Sequence, residues 1–143
     1  MFSKEESEKL RKDFWTSFGK SFPRKWLLYN TKIKGFAFKF MATTKQAKIC
    51  LDIDMKNNDL RLQYYNKMLS LKKILETEYI SEIIYDDDYI LDNGKSIIRI
   101  YTELPDKFSI HNKNSWSKAY EFFVHNMNQF ELFWFEYEDF IKS

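Results

Sequence analysis

From Trp116 to Ile141 the chain places a large side chain at Trp116, Tyr120, Phe123, Met127, Phe130, Trp134, Tyr137 and Ile141, in alternating steps of four and three residues. Such steps keep side chains on one face of a helix, so the spacing predicts a helix over about Ser115 to Ile141 with a heptad seam. Phe122, Phe133 and Phe140 widen the apolar face. A helix this apolar along one side needs a surface to cover, and the remaining chain must supply it. Most of the seam is expected to be core over a sheet. The apolar positions exceed what one sheet face requires, Phe135 and Phe140 included. The remainder therefore offers a contact for a partner helix, either a second copy in a homodimer or a client protein.

Upstream, Ser3 followed by Glu6 is a capping-box pattern. Leu10, Phe14, Phe18 and Phe22 repeat behind it every four residues, with Trp15 beside them, until Pro23 stops the helix. Trp26 to Tyr29 is an apolar run of strand length. Phe36, Phe38 and Phe40 then alternate with Ala37, Lys39 and Met41, and Ile49, Leu51, Ile53 and Met55 alternate with Cys50, Asp52 and Asp54. Alternation of period two predicts strands with one dry face, and Thr43 to Gln46 supply the turn. Asn57 or Asn58 caps a second helix reaching about Tyr79, with Leu60, Tyr64, Met68, Leu71, Leu75 and Tyr79 as its stripe. Ile83 to Leu91 and Ile97 to Leu104 flank Asp92-Asn93-Gly94-Lys95. That is a hairpin signal of the type I′ kind, which needs positive φ at both central residues. Phe108-Ser109-Ile110 adds a short extended piece. The order α-β-β-β-α-β-β-α predicts an α+β fold: a mainly antiparallel sheet of four or five strands packed against three helices.

At 143 residues the chain is expected to be a single domain spanning 1–143. Such a chain buries roughly 70% of its unfolded surface and needs no disulfide or metal to fold. One cysteine, Cys50, excludes an internal disulfide and fits a reducing compartment. Ser3 to Lys12 is too charged for a leader peptide, and no run of about 18 apolar residues offers a membrane span. A cytoplasmic protein with no membrane partner is the expectation. The net charge of +2 excludes a strongly basic nucleic-acid footprint over the whole chain, while leaving room for a local patch.

Phe14-Trp15, Phe22-Pro23-Arg24-Lys25-Trp26, Leu69-Ser70-Leu71-Lys72, Ser96-Ile97-Ile98-Arg99-Ile100-Tyr101 and the helix from Trp116 to Tyr137 together resemble a bacterial domain-of-unknown-function family of about this length. The resemblance covers essentially the whole chain. It implies a domain that occurs alone or fused behind predicted nuclease or restriction-type domains, and an association with DNA metabolism or defence. It brings no active-site residue with it.

Asp52-Ile53-Asp54-Met55-Lys56 has the acid, spacer and lysine order of metal-dependent nucleases, in which carboxylates hold a divalent ion and the lysine steadies the attacking water. Alternation puts Asp52, Asp54 and Lys56 on one face. Such sites also need an acid on the neighbouring strand, which Phe36 to Met41 does not supply, and Asp106 lies downstream. A solvated strand face is the plainer reading. Asp86, Asp87 and Asp88, with Asp92 nearby, lack the spacing of a calcium loop. An acidic edge that discourages strand pairing accounts for them, with Asp86 and Asp88 on one face. His111 and His125 with Cys50 do not make a zinc set, and Cys50 reads as a half-buried strand thiol. No P-loop, serine elbow or dinucleotide fingerprint occurs.

One charge asymmetry stands out. No Asp or Glu occurs between Asp13 and Asp52. Within that stretch Arg24, Lys25, Trp26, Tyr29, Lys32, Lys34 and Lys39 interleave cations for phosphates with rings for bases, the pattern of single-strand nucleic-acid binders. The plainer reading sends Trp26, Tyr29 and Phe36 into the core and leaves the lysines as a solvated fringe. The sequence as a whole points to a non-catalytic interaction or accessory module with no metal or cofactor. Nucleic acid, or a protein of a nuclease system, is the expected partner.

Overall fold

The computed structural model describes residues 2–143. The elements run α1 (Lys4–Ser21), β1 (Phe36–Ala42), β2 (Ala47–Ile53), α2 (Asn58–Ser70), α3 (Lys72–Glu78), β3 (Ile84–Ile90), β4 (Ser96–Glu103) and α4 (Trp116–Lys142), with short 3-10 turns at Leu27–Tyr29 and Lys113–Ser115. The strands form one antiparallel sheet in the order β1-β2-β4-β3. This is the α+β class read from the sequence, with the strand count settled at four.

Ser3 Oγ accepts from the Glu6 amide at 3.1 Å, and the Glu6 carboxylate accepts from the Ser3 amide at 3.3 Å, so α1 opens on the expected capping box. Phe36, Phe38 and Phe40 of β1 lie opposite Ile53, Leu51 and Ile49 of β2. Those in turn lie opposite Ile98, Ile100 and Thr102 of β4. Each rung thus sends its residues to the same face, and the helices close over it. Phe38 meets Phe130 at 5.0 Å between ring centres, and Phe40 meets Phe123 at 4.7 Å and Phe18 at 5.3 Å. Each ring buried this way stabilises the fold by about 1.5–3 kcal/mol relative to exposure, and well-oriented ring pairs add about 0.5–1.5 kcal/mol. All eight seam positions of α4 are buried except Tyr137, which is half-buried.

Several expectations are corrected. Trp26 to Tyr29 is not a strand. Trp26 and Leu28 are buried while Leu27 and Tyr29 are exposed, an alternation that imitates a strand. The Leu27 amide, however, donates to the Glu131 carboxylate at 3.2 Å instead of to a neighbouring strand. The second helix does not run unbroken to Tyr79. Ser70 Oγ donates to the Lys67 carbonyl at 2.7 Å, and the Leu71 amide turns back to Met68 at 3.1 Å. A serine that bonds its own backbone competes with the helix, so the chain restarts as α3. β2 ends at Ile53, leaving Met55 and Lys56 outside the sheet. Phe108 to Ile110 joins no strand. Cys50 is wholly buried, not half-buried.

The β3–β4 turn is not type I′. Lys32 is the one non-glycine with positive φ among the described residues, so Asn93 lies outside that region while Gly94 sits at φ 87°. Leu91 brackets the loop: its carbonyl accepts from Gly94 and its amide donates to Lys95, both at 2.8 Å. This is a three-residue loop with one left-handed glycine, the next commonest hairpin connection.

A bulge also breaks the alternation through the aspartates. Asp86 lies opposite Arg99 and Tyr89 lies opposite Ile97, so Asp87 and Asp88 together face one residue of β4. Uninterrupted pairing would send Tyr89 to the helix side. The bulge turns it to the opposite face, where its ring lies 4.3 Å from the Arg99 guanidinium.

Candidate binding clefts

The sheet face turned away from the helices carries Lys39 of β1, Lys48, Cys50 and Asp52 of β2, Arg99 and Tyr101 of β4, and Tyr89 of β3, as the register requires. Arg99 is 1% exposed. Its Nε donates to Asp52 Oδ1 at 2.7 Å and its Nη2 to Asp52 Oδ2 at 2.8 Å. Lys39 Nζ stands 2.9 Å from the same Oδ2. Burial works against the Arg99 charge, but the hydrogen bonds to Asp52 outweigh it and hold its pKa above the ordinary arginine value. Burial pushes the Cys50 thiol up to about 12, with Arg99 pulling the other way. That thiol stays protonated and is a poor nucleophile.

The acid–lysine set is therefore divided. Asp52 and Asp54 do line one cleft of about 370 Å³, with Lys39 and Asn30. Asp52 is nonetheless committed to Arg99 and Lys39, and Asp54 lies 2.9 Å from Lys95 Nζ. Lys56 is exposed in a bend beyond β2 and does not line that cleft. Among the described residues no three His, Cys, Asp or Glu side chains gather where they could hold a metal ion.

The basic and aromatic set is divided too. Arg24, Lys25, Trp26 and Tyr29 line a cleft of about 640 Å³ between the end of α1 and the 3-10 turn at Leu27–Tyr29. Lys39 lies on the far face of the sheet. Lys32 and Lys34 are exposed on the loop between the turn and β1 and line neither this cleft nor the one holding Asp52. Trp26 is mostly buried, stacked on Phe18 at 6.0 Å and edge-on to Phe40 at 5.2 Å. Tyr29 is half-exposed. Arg24 lies 4.0 Å over the Trp26 ring and reaches α4. There its Nη2 donates to both oxygens of Glu131 at 2.6 and 2.8 Å, and its Nη1 donates to Asn128 at 2.7 Å. The remaining walls are Trp15, Phe18, Gly19, Phe22 and Pro23, and no carboxylate lines the cleft. The sequence named Trp15 and Phe22 as parts of α1, not of a cleft. The sign that could have found them is that they flank the Phe14–Phe18 stripe on the side toward Pro23.

The family model described as Domain of unknown function (DUF4268) matches residues 10–138. The chain belongs to this family. No curated protein and no solved structure matches it. The DUF4268 match takes in the sheet with both of its faces, the aromatic cleft and all but the ends of α1 and α4. Nothing in that description assigns a role to any residue.

Asp86, Asp88 and His111 have structural partners. Asp86 Oδ1 accepts from the Asp88 amide at 2.9 Å, and Ser96 donates to Asp88, so these acids shape the bulge on edge strand β3. His111 meets Ser7 Oγ at 2.8 Å and stacks on Phe2 at 4.4 Å, while His125 is exposed on α4. Leu132, Phe135 and Phe140 form the exposed apolar part of α4, with Phe135 86% exposed. No helix is long and apolar enough to cross a membrane among the described residues.

Proposed function

We propose that the chain is a non-catalytic binding module of the cytoplasm that takes single-stranded nucleic acid in the cleft between α1 and the Leu27–Tyr29 turn. The observation that carries this reading is the lining of that cleft: rings and two cations with no carboxylate among them. Aromatic faces accept any base by stacking, and cations follow the phosphates. A recessed row of rings suits unstacked bases, not a closed duplex. Tyr29 supplies the exposed ring and Lys25 the free cation, while Arg24, tied to Glu131, forms a fixed wall over Trp26. The implied association of the family with DNA metabolism points the same way. The ion pairs of Asp52 and Asp54 speak against the nuclease alternative using Asp52, Asp54 and Lys56, because a metal would have to displace Arg99, Lys39 and Lys95.

Fluorescence anisotropy with single-stranded DNA, single-stranded RNA and duplex oligonucleotides across a salt series tests the proposal. Single strands are expected to bind more tightly, with affinity falling as salt rises. Tyr29→Ala should weaken binding by the equivalent of about 1–3 kcal/mol per stacked base, and Lys25→Ala should flatten the salt slope by about one. No binding of single strands at low salt sinks the reading. Cleavage of the oligonucleotides in Mg²⁺ would restore the nuclease alternative. The exposure of Phe135 and Leu132 favours a second reading, a protein contact or homodimer through α4. Sedimentation showing self-association that Phe135→Ser abolishes would select it.

A further inference from the structure

We infer that the helix-free face of the sheet carries a second binding site, specific for a phosphate group, where Arg99 and Lys39 meet the β3–β4 turn. Arg99 gives one edge of its guanidinium to Asp52 through Nε and Nη2, and its Nη1 makes no hydrogen bond. Among the described residues, Arg61 Nε is the only fully enclosed side-chain nitrogen or oxygen without a partner. Arg99 Nη1 is therefore not enclosed. The trace of surface that Arg99 retains opens on a cleft of about 360 Å³ that it lines together with Lys39, Met41, Tyr89 and Asn93.

Three features mark this as a built site. First, a buried ion pair is an expensive way to fill a sheet face, since apolar residues of similar volume do as well or better. The retained charge needs a use beyond packing. Second, two cations converge on one carboxylate, since Lys39 Nζ stands 2.9 Å from the Asp52 oxygen that already accepts from Arg99. That cluster has one positive charge left over, and Cys50 beside it stays a neutral thiol. Third, the bulge in β3 brings Tyr89 over the guanidinium face, which restricts approach to the open nitrogen. Bulges recur beside binding sites for this kind of re-aiming.

The remaining charges on this face are occupied elsewhere. Lys48 lies over Tyr101 with Glu103 at 3.9 Å, and Asp86 accepts from the Asp88 amide. Asp92, exposed on the turn, is the one carboxylate lining the cleft. Asp52 takes the Nε–H and one Nη2–H of Arg99, which leaves both N–H groups of Nη1 and the second of Nη2, together with one mobile ammonium. A doubly charged phosphate offers separate oxygens to the two cations and neutralises more of their charge than a singly charged carboxylate does. Lys39 is half-exposed and can turn from Asp52 to the bound anion. The site is separate from the aromatic cleft and does not depend on it.

The test is an NMR titration of the full chain, reading the Arg99 side-chain Nε–H and the backbone amides of Lys39 and Asn93. The probes are inorganic phosphate, acetate, and a dinucleotide with and without a 5′-phosphate, at constant low ionic strength. Saturable shifts confined to these residues with either phosphate probe, and not with acetate, support the site. Saturation by inorganic phosphate alone assigns it to the free anion, and saturation only by the phosphorylated dinucleotide assigns it to a nucleotide phosphate. Lys39→Met should weaken binding about 10-fold, as loss of one charge-assisted hydrogen bond implies. Asp92→Asn should tighten it, and Tyr29→Ala should leave it unchanged. Shifts that rise without saturation, or that persist undiminished in Lys39→Met, overturn the assignment.

Discussion

Asp52 has two partners of different standing, and the difference can be measured. Arg99 is almost wholly buried and holds both Asp52 oxygens, whereas the Lys39 side chain is 49% exposed and holds one. Asp52→Ala leaves an almost wholly buried guanidinium without its counter-charge. Breaking a buried pair from one side typically costs about 3–5 kcal/mol, and Lys39 cannot make up for it. Lys39→Ala removes a half-solvated lysine from a pair that Arg99 still satisfies, so its cost should stay within about 1 kcal/mol. Urea denaturation of both variants gives the comparison directly. Equal losses would mean that Arg99 finds water or another partner when Asp52 is gone.

At the scale of elements, two glycines with left-handed backbones separate conformational strain from crowding. Gly94 sits at φ 87° in the β3–β4 turn with open space where a side chain would project. Gly35 sits at φ 77° before β1, and a Cβ there would lie 2.5 Å from the Asp54 carbonyl oxygen. That carbonyl belongs to the residue whose amide donates to Gly35 at 2.8 Å, so the backbone cannot move aside without loosening the rung next to Asp52. Gly94→Ala should cost about 1 kcal/mol for the conformation alone. Gly35→Ala should cost clearly more, and thermal denaturation that ranks them in the reverse order would refute the argument.

What could be read from the sequence divides along the same line. α1 and α4 were legible because their periods extend over many residues and are opened by a capping box or a long seam. The 3-10 turn was not, because four residues alternating in burial look the same whether or not a neighbour pairs with them. The helix break at Leu71 and the bulge after Asp86 leave no mark on the apolar pattern, because each rests on a local polar side chain, Ser70 on the Lys67 carbonyl and Asp86 on the Asp88 amide, that would look the same in an unbroken element. At the clefts, the interleaved rings and cations were visible as neighbours in the chain. Their partners were not: Arg24 meets Glu131, and Asp52 meets Arg99, across separations that local spacing does not encode.

For the whole molecule, the decisive junction is where α1, α4 and β1 meet around Phe123. Its ring is fully buried and lies 4.7 Å from Phe40, 5.6 Å from Phe18 and 5.9 Å from Trp15. Through these contacts the first helix, the last helix and an edge strand share one interior, and the aromatic cleft is the outer rim of the same junction. Phe123→Ala should therefore cost about 3–5 kcal/mol, and the loss should fall on the chain as a unit. Helix signal by circular dichroism and tryptophan fluorescence should still report coincident unfolding transitions, both moved to lower denaturant. If the rings of α1 were only a cover laid on a self-sufficient sheet and α4, fluorescence from Trp15 and Trp26 would change first and the helix signal would follow in a separate step. That outcome would make α1 and its cleft an independent element. Any ligand held there would then stabilise α1 alone, whereas a shared interior predicts that ligand in the cleft raises the single transition of the entire chain.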